Sequence, residues 1–166
     1  MHNIILWFGL AIIPVVWFLQ NVVHESSHAL IPLFKGCKVK IYPWPKFENG
    51  RWYMAFSTWQ CQTLLPQKLR LVISAAPRIV DLLIIAVTVA VQPANAWANT
   101  ILQAWQIAAL MDFSFNTVGI FYGPERRNDA WTCAELAEIK NISMLRVLSV
   151  AAVLISALPV AYRLFF

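Results

Sequence analysis

The stretch from Ile4 to Phe34 constrains this chain more than any other feature. It is apolar over a membrane-spanning length and carries His24-Glu25-Ser26-Ser27-His28 in its second half. As a helix rising about 1.5 Å per residue, it exceeds the roughly 30 Å hydrocarbon thickness of a bilayer. It must therefore tilt, kink near Pro14, or end in a re-entrant or interfacial turn. Positions four apart on a helix differ by about 40° of rotation, so both imidazoles leave one face and can share a zinc ion. Glu25 lies beside them, where a carboxylate can accept a proton from a metal-activated water. A glutamate flanked by two histidines is too costly in lipid to keep without a partner.

The rest of the chain has the same character. Its 166 residues are 60% hydrophobic and only 13% charged, with mean hydropathy +0.61. A soluble domain carries about twice that charged fraction, so the reading is a single-domain integral membrane protein over residues 1–166. Three further hydrophobic segments run from about Leu69 to Val91, Trp97 to Tyr122 and Ile142 to Phe166. The expected fold is an all-α polytopic membrane protein with about four transmembrane helices. No positive n-region precedes Ile4, so the first segment reads as a retained helix and not as a signal peptide.

Between the first two segments the texture changes. Lys38-Val39-Lys40-Ile41-Tyr42 alternates with period two, Asn49-Gly50 is a strong hairpin-turn signal, and Arg51 to Trp59 resumes a strand-like pattern. Pro43 and Pro45 interrupt the first arm, which fits an edge or bulged strand. The expectation is a β-hairpin at the membrane surface. Lys35, Lys38, Lys40, Lys46, Arg51, Lys68 and Arg70 cluster around this hairpin, and Arg126, Arg127, Lys140 and Arg146 lie at the junction of segments three and four. The turn from Gln92 to Asn99 has no charge. The positive-inside rule then puts the hairpin and the Arg126 loop in the cytoplasm and both termini outside. A net charge of +5 distributed this way, with no aromatic-interleaved basic face, argues against nucleic acid. Cys37, Cys61 and Cys133 form no CxxC pair and read as reduced structural thiols.

A catalytic zinc needs three protein ligands and an open position. The chain has three histidines, and His2 lies about 33 Å up the same helix from the pair, out of reach. The third ligand must come from a carboxylate or a cysteine. Asp112 lies about 16 Å into the third segment, whereas His24 lies about 30 Å along the first. Asp129 follows the far end of the third segment and can fold back to the motif. The depth count favours Asp129 and leaves Asp112 as the alternative ligand. Asp112 can also pair with Arg78 or hydrogen-bond to Asn116 one turn on, and Arg78 and Asp81 are spaced to pair with each other. Asn116 is a candidate for orienting a substrate backbone or the zinc-bound water, with a purely structural amide as the other reading.

H-E-x-x-H in a first membrane helix followed by a hairpin resembles the site-2 protease family of intramembrane zinc metalloproteases. Ala75-Ala76-Pro77-Arg78-Ile79-Val80-Asp81 is similar to that family's Ala-Gly-Pro-x-x-x-Asn stretch, with Ala76 for Gly and Asp81 for Asn. Asn116-Thr117-Val118-Gly119 through Asn128-Asp129-Ala130-Trp131 is similar to its Asn-x-x-Pro … Asp-Gly signature, with Gly119 for Pro and Ala130 for Gly. The likeness spans roughly residues 20 to 131 and implies a small member without a PDZ module. It implies Zn2+ on His24, His28 and Asp129, Glu25 as the catalytic acid–base, and membrane-spanning or membrane-proximal protein segments as substrate. The expected setting is the lipid bilayer of a prokaryotic inner membrane, with the active site near the cytoplasmic side. The altered Gly119 and Ala130 positions motivate one alternative, a catalytically inactive membrane protein of the same fold that binds zinc or protein segments. A metal or proton transporter using Asp81, Asp112 and the two histidines is less favoured, because four segments are few.

Overall fold

A computed structural model describes residues 2–48, 51–53, 55–122 and 128–165. The chain is mostly helical: α1 (His2–Phe34), α2 (Gln67–Ala90), α3 (Ala96–Val118), α4 (Asp129–Leu136) and α5 (Ile142–Phe165). Four short strands separate α1 from α2: β1 (Lys38–Tyr42), β2 (Lys46–Glu48), β3 (Arg51–Tyr53) and β4 (Phe56–Gln60). A single 3-10 turn, Gly119–Phe121, follows α3.

α1 runs unbroken through Pro14 and ends two residues after Pro32. Its terminus is set by Gly36, whose φ of +73° suits a residue without Cβ. Gly36 N–H donates to Leu33 O and Cys37 N–H to Pro32 O, each at 3.0 Å, a Schellman closure that turns the chain straight into β1. β1 pairs antiparallel with β4, Lys38 opposite Gln60 and Tyr42 opposite Phe56. β2 pairs with β3 in the same long hairpin, Glu48 opposite Arg51. The ladder breaks around Pro43 and Pro45, which lack the N–H it needs. The expected turn at Asn49-Gly50 lies outside the described residues, as do Arg126 and Arg127.

One expectation about the cysteines is overturned. Cys37 and Cys61 form a disulfide, and Cys133 is the unbridged thiol. The register explains the pairing. Continuing the β1–β4 ladder one step past Lys38 and Gln60 brings residues 37 and 61 face to face. Cys37 then packs with Leu65 and Ile73, and Trp59 and Ile31 close over them, so the hairpin base is fastened to α1 and α2.

α1, α2 and α5 are each long and apolar enough to cross a membrane. Their outward side chains fit lipid: Val147, Ile155 and Leu158 of α5 are each 68% exposed. α3 does not reach that apolarity among the described helices. It packs against α1, α2 and α5 and buries Gln106, Asp112 and Thr117. A helix enclosed by other helices can carry polar groups that a lipid-facing helix cannot. Ala104 and Ala108 let it approach Val16 of α1 closely, while Ala109 and Phe113 meet Ile85 of α2 and Val160 of α5. This central helix and α1 together carry most of the buried polar side chains.

Candidate metal centre

α1 brings His24, Glu25 and His28 to its inner face, and Gln20 and Asn21 lie one turn earlier on the same buried side. His24 Nδ1 donates to Asp112 Oδ2 of α3 at 2.8 Å. His28 Nδ1 lies 2.9 Å from the backbone carbonyl of Ile73 on α2. That carbonyl can only accept, so Nδ1 of His28 carries the hydrogen. With both Nδ1–H groups committed, the two Nε2 atoms turn toward a single oxygen. Asp129 Oδ2 lies 3.0 Å from His28 Nε2 and 3.3 Å from His24 Nε2.

Asp129 is the first residue of α4. Asn128 caps the helix by accepting from Trp131 N–H at 3.1 Å, and a carboxylate in the first turn is favoured by the helix dipole. Burial opposes ionisation of Asp129, but its hydrogen bonds to His24 and His28 outweigh burial. They hold its carboxyl well below the usual carboxylate range. Those bonds require a hydrogen on each facing Nε2; with the Nδ1 hydrogens already committed, neutral imidazoles would meet the ionised Asp129 lone pair to lone pair, so the three atoms need added protons or a metal cation among them.

The donor set fits zinc. Zinc bonds of about 2.0 Å in a tetrahedron put neighbouring ligand atoms about 3.3 Å apart, close to the separations found here. Each imidazole also has an acceptor on its far nitrogen, a carboxylate for His24 and a carbonyl for His28, as metal-bound histidines do. The side chains of His28 and Asp129 are 13% and 20% exposed, so this is the side on which the site opens.

Asp112 stands on the opposite side of His24 from Asp129. It orients the imidazole, and Asn116 in turn donates Nδ2 to Asp112 Oδ1 at 2.8 Å and to Asp112 O at 3.0 Å. Asn116, read as a substrate contact, is thus directed at Asp112 in this structure. Asp81, Asp112 and His24 also offer ligand atoms within 4.8 Å of one another. A cation there would compete with the Nδ1–H bond that orients His24, which makes it the weaker metal site.

Arg78 and Asp81 do not hydrogen-bond to each other. Three apart on α2, they diverge: Asp81 faces α1, where Gln20 Nε2 donates to its Oδ1 at 2.6 Å, and Arg78 faces α4. Trp105 Nε1–H donates to Gln20 Oε1 at 2.9 Å, completing a buried chain that the sequence reading did not anticipate. The signal was present in the spacing, since Gln20, Asn21, His24, Glu25 and His28 recur every three or four residues on α1. Ser57 of β4 was also missed; its side chain lies close enough to interact with the Glu25 carboxyl, joining the hairpin to the site.

Gly119, where the resembling signature has Pro, has a local reason. Its carbonyl accepts from Asn128 Nδ2 at 2.8 Å, and a Cβ added at 119 would come within 2.8 Å of Asn128 Cγ. What fold and site define is a helical membrane protein with a half-buried His-His-Asp cluster. No protein-family model, curated protein or solved structure matches the chain.

Proposed function

We propose that this chain is an intramembrane zinc metalloendopeptidase of the site-2 protease kind. The observation that carries the reading is the convergence of His24 Nε2 and His28 Nε2 on one oxygen of Asp129, a residue 101 positions further along the chain than His28. His24, His28 and Asp129 are the residues that would hold zinc. When bound, zinc supplies an acidified water and an electrophile for the scissile carbonyl. Glu25 takes the proton from the attacking water and delivers it to the leaving amine. Its burial beside both histidines, with Ser57 of β4 close by, suits a base that must hold one position.

Substrates are membrane-spanning or membrane-proximal protein segments. A membrane helix hides its amides in internal hydrogen bonds, so the segment must unwind before attack. Among the described residues no third strand pairs with β1 or β4, so their outer edges offer backbone groups to an extended chain, and β4 carries Ser57 beside Glu25. α3 is taken as a fourth span, shielded from lipid by its neighbours. The basic residues around the hairpin favour a site near the cytoplasmic face of a prokaryotic inner membrane.

Glu25→Gln tests the mechanism. The variant is expected to keep its zinc and lose cleavage of unfolded or membrane-anchored test substrates by about 10²–10⁴-fold. Cleavage at the wild-type rate would overturn the assignment of Glu25.

A further inference from the structure

Arg78 is a half-buried cation inside the membrane-length helix α2, and its guanidinium works toward α4. The two hydrogens of Nη2 are shared among three acceptors: Ser74 O at 3.1 Å on its own helix, Asp129 O at 3.0 Å and Cys133 Sγ at 2.9 Å. Two of the three lie on α4. The opposite flank of the α4 N-terminus is held by Asn128, which donates to Gly119 O and caps Trp131 N–H. A helix of eight residues is too short to be stable alone, so its position depends on such contacts and on the packing of Ala130 and Ala134 against Ile120.

We propose that Arg78 is a positioning residue that fixes the Asp129 carboxylate against His24 and His28, acting with the Asn128–Gly119 contact from the other flank. The role rests on the metalloenzyme reading above. Its logic lies in which oxygen the guanidinium takes. Arg78 bonds to the backbone carbonyl of Asp129, so it locates the residue without occupying the carboxylate oxygen that faces the imidazoles. An arginine on the carboxylate itself would compete for that oxygen. Nη2 alone reaches both the carbonyl and the thiol on successive turns of α4, so a lysine ammonium can replace it only in part, as a single-point donor without the guanidinium plane.

The test uses the full chain purified in detergent, as wild type, Arg78→Gln, Arg78→Lys and Asn128→Ala. Zinc retention is measured by chelator competition, and amide exchange across residues 129–136 is measured after zinc is stripped. Arg78→Gln is expected to weaken zinc about 10–100-fold and to speed exchange in α4, with Arg78→Lys recovering part of both. Asn128→Ala attacks the same position from the other flank and serves if Arg78→Gln does not fold. Wild-type zinc affinity and wild-type α4 exchange in folded Arg78→Gln or Asn128→Ala overturn the positioning role. Wild-type protein that takes up no zinc overturns the metalloenzyme reading and this role with it. That outcome is distinct from failure of the clamp alone, in which wild type and variants hold zinc equally.

Discussion

Asp129 Oδ2 stands 3.0 Å from His28 Nε2, joining the N-terminus of a short helix to a residue 101 positions earlier on α1. Asp112 meets the other side of the pair through His24 Nδ1. The two aspartates weighed as third ligand therefore face different nitrogens and should respond differently to substitution.

Asp112→Asn keeps a side chain able to accept from His24 but removes its charge. Zinc affinity measured by chelator competition should fall about 10–100-fold while the site still fills at high zinc. Complete loss of zinc would make Asp112 a direct ligand.

Gly119→Ala keeps an ordinary helical backbone, since φ at 119 is −50°. The new methyl must displace the Asn128 side chain, which is held by hydrogen bonds on both its amide nitrogen and its oxygen. Overpacking of this kind costs about 1–3 kcal/mol, and a lower unfolding midpoint in detergent is expected. An unchanged midpoint would mean that Asn128 can move freely.

Burial pushes the Cys133 thiol up, and Arg78 beside it offsets this only in part. A raised thiol has less reactive thiolate at pH 8, so alkylation of the native protein should be several-fold slower than of the denatured chain. The rate should go on rising with pH beyond the point where an ordinary thiol levels off. Equal native and denatured rates at pH 8 would contradict the burial argument.

Cys37 and Cys61 are bridged, yet the basic residues around them favour the cytoplasm, where thiols are kept reduced. Rapid acid quenching and alkylation of whole cells should therefore trap both as free thiols, and mild oxidation of the purified protein should join them. A bridge already present in quenched cells would put the hairpin on the oxidising side and reverse the topology.

Much of the framework was legible because its signals are local. The apolar runs found the four long helices to within a few residues, and the period-two alternation after Lys38 found β1. Pro43 and Pro45 marked the break in the ladder. What escaped depends on contacts between distant segments. α4 is too short and too weakly amphipathic to stand out from a loop, and the Cys37–Cys61 pairing needs the strand register. Arg78 was read along its own helix, toward Asp81, although its partners come from α4. α3 reads as a fourth span by length, yet it falls short of the apolarity of α1, α2 and α5, and only the packing shows where its polar side chains are buried.

The most direct measurement is zinc content by elemental analysis of purified wild type, His28→Ala and Asp129→Ala after metal reconstitution. Near-stoichiometric zinc is expected in the wild type and little in either variant. A wild type without zinc, or an Asp129→Ala protein that keeps it, would contradict the His24–His28–Asp129 centre.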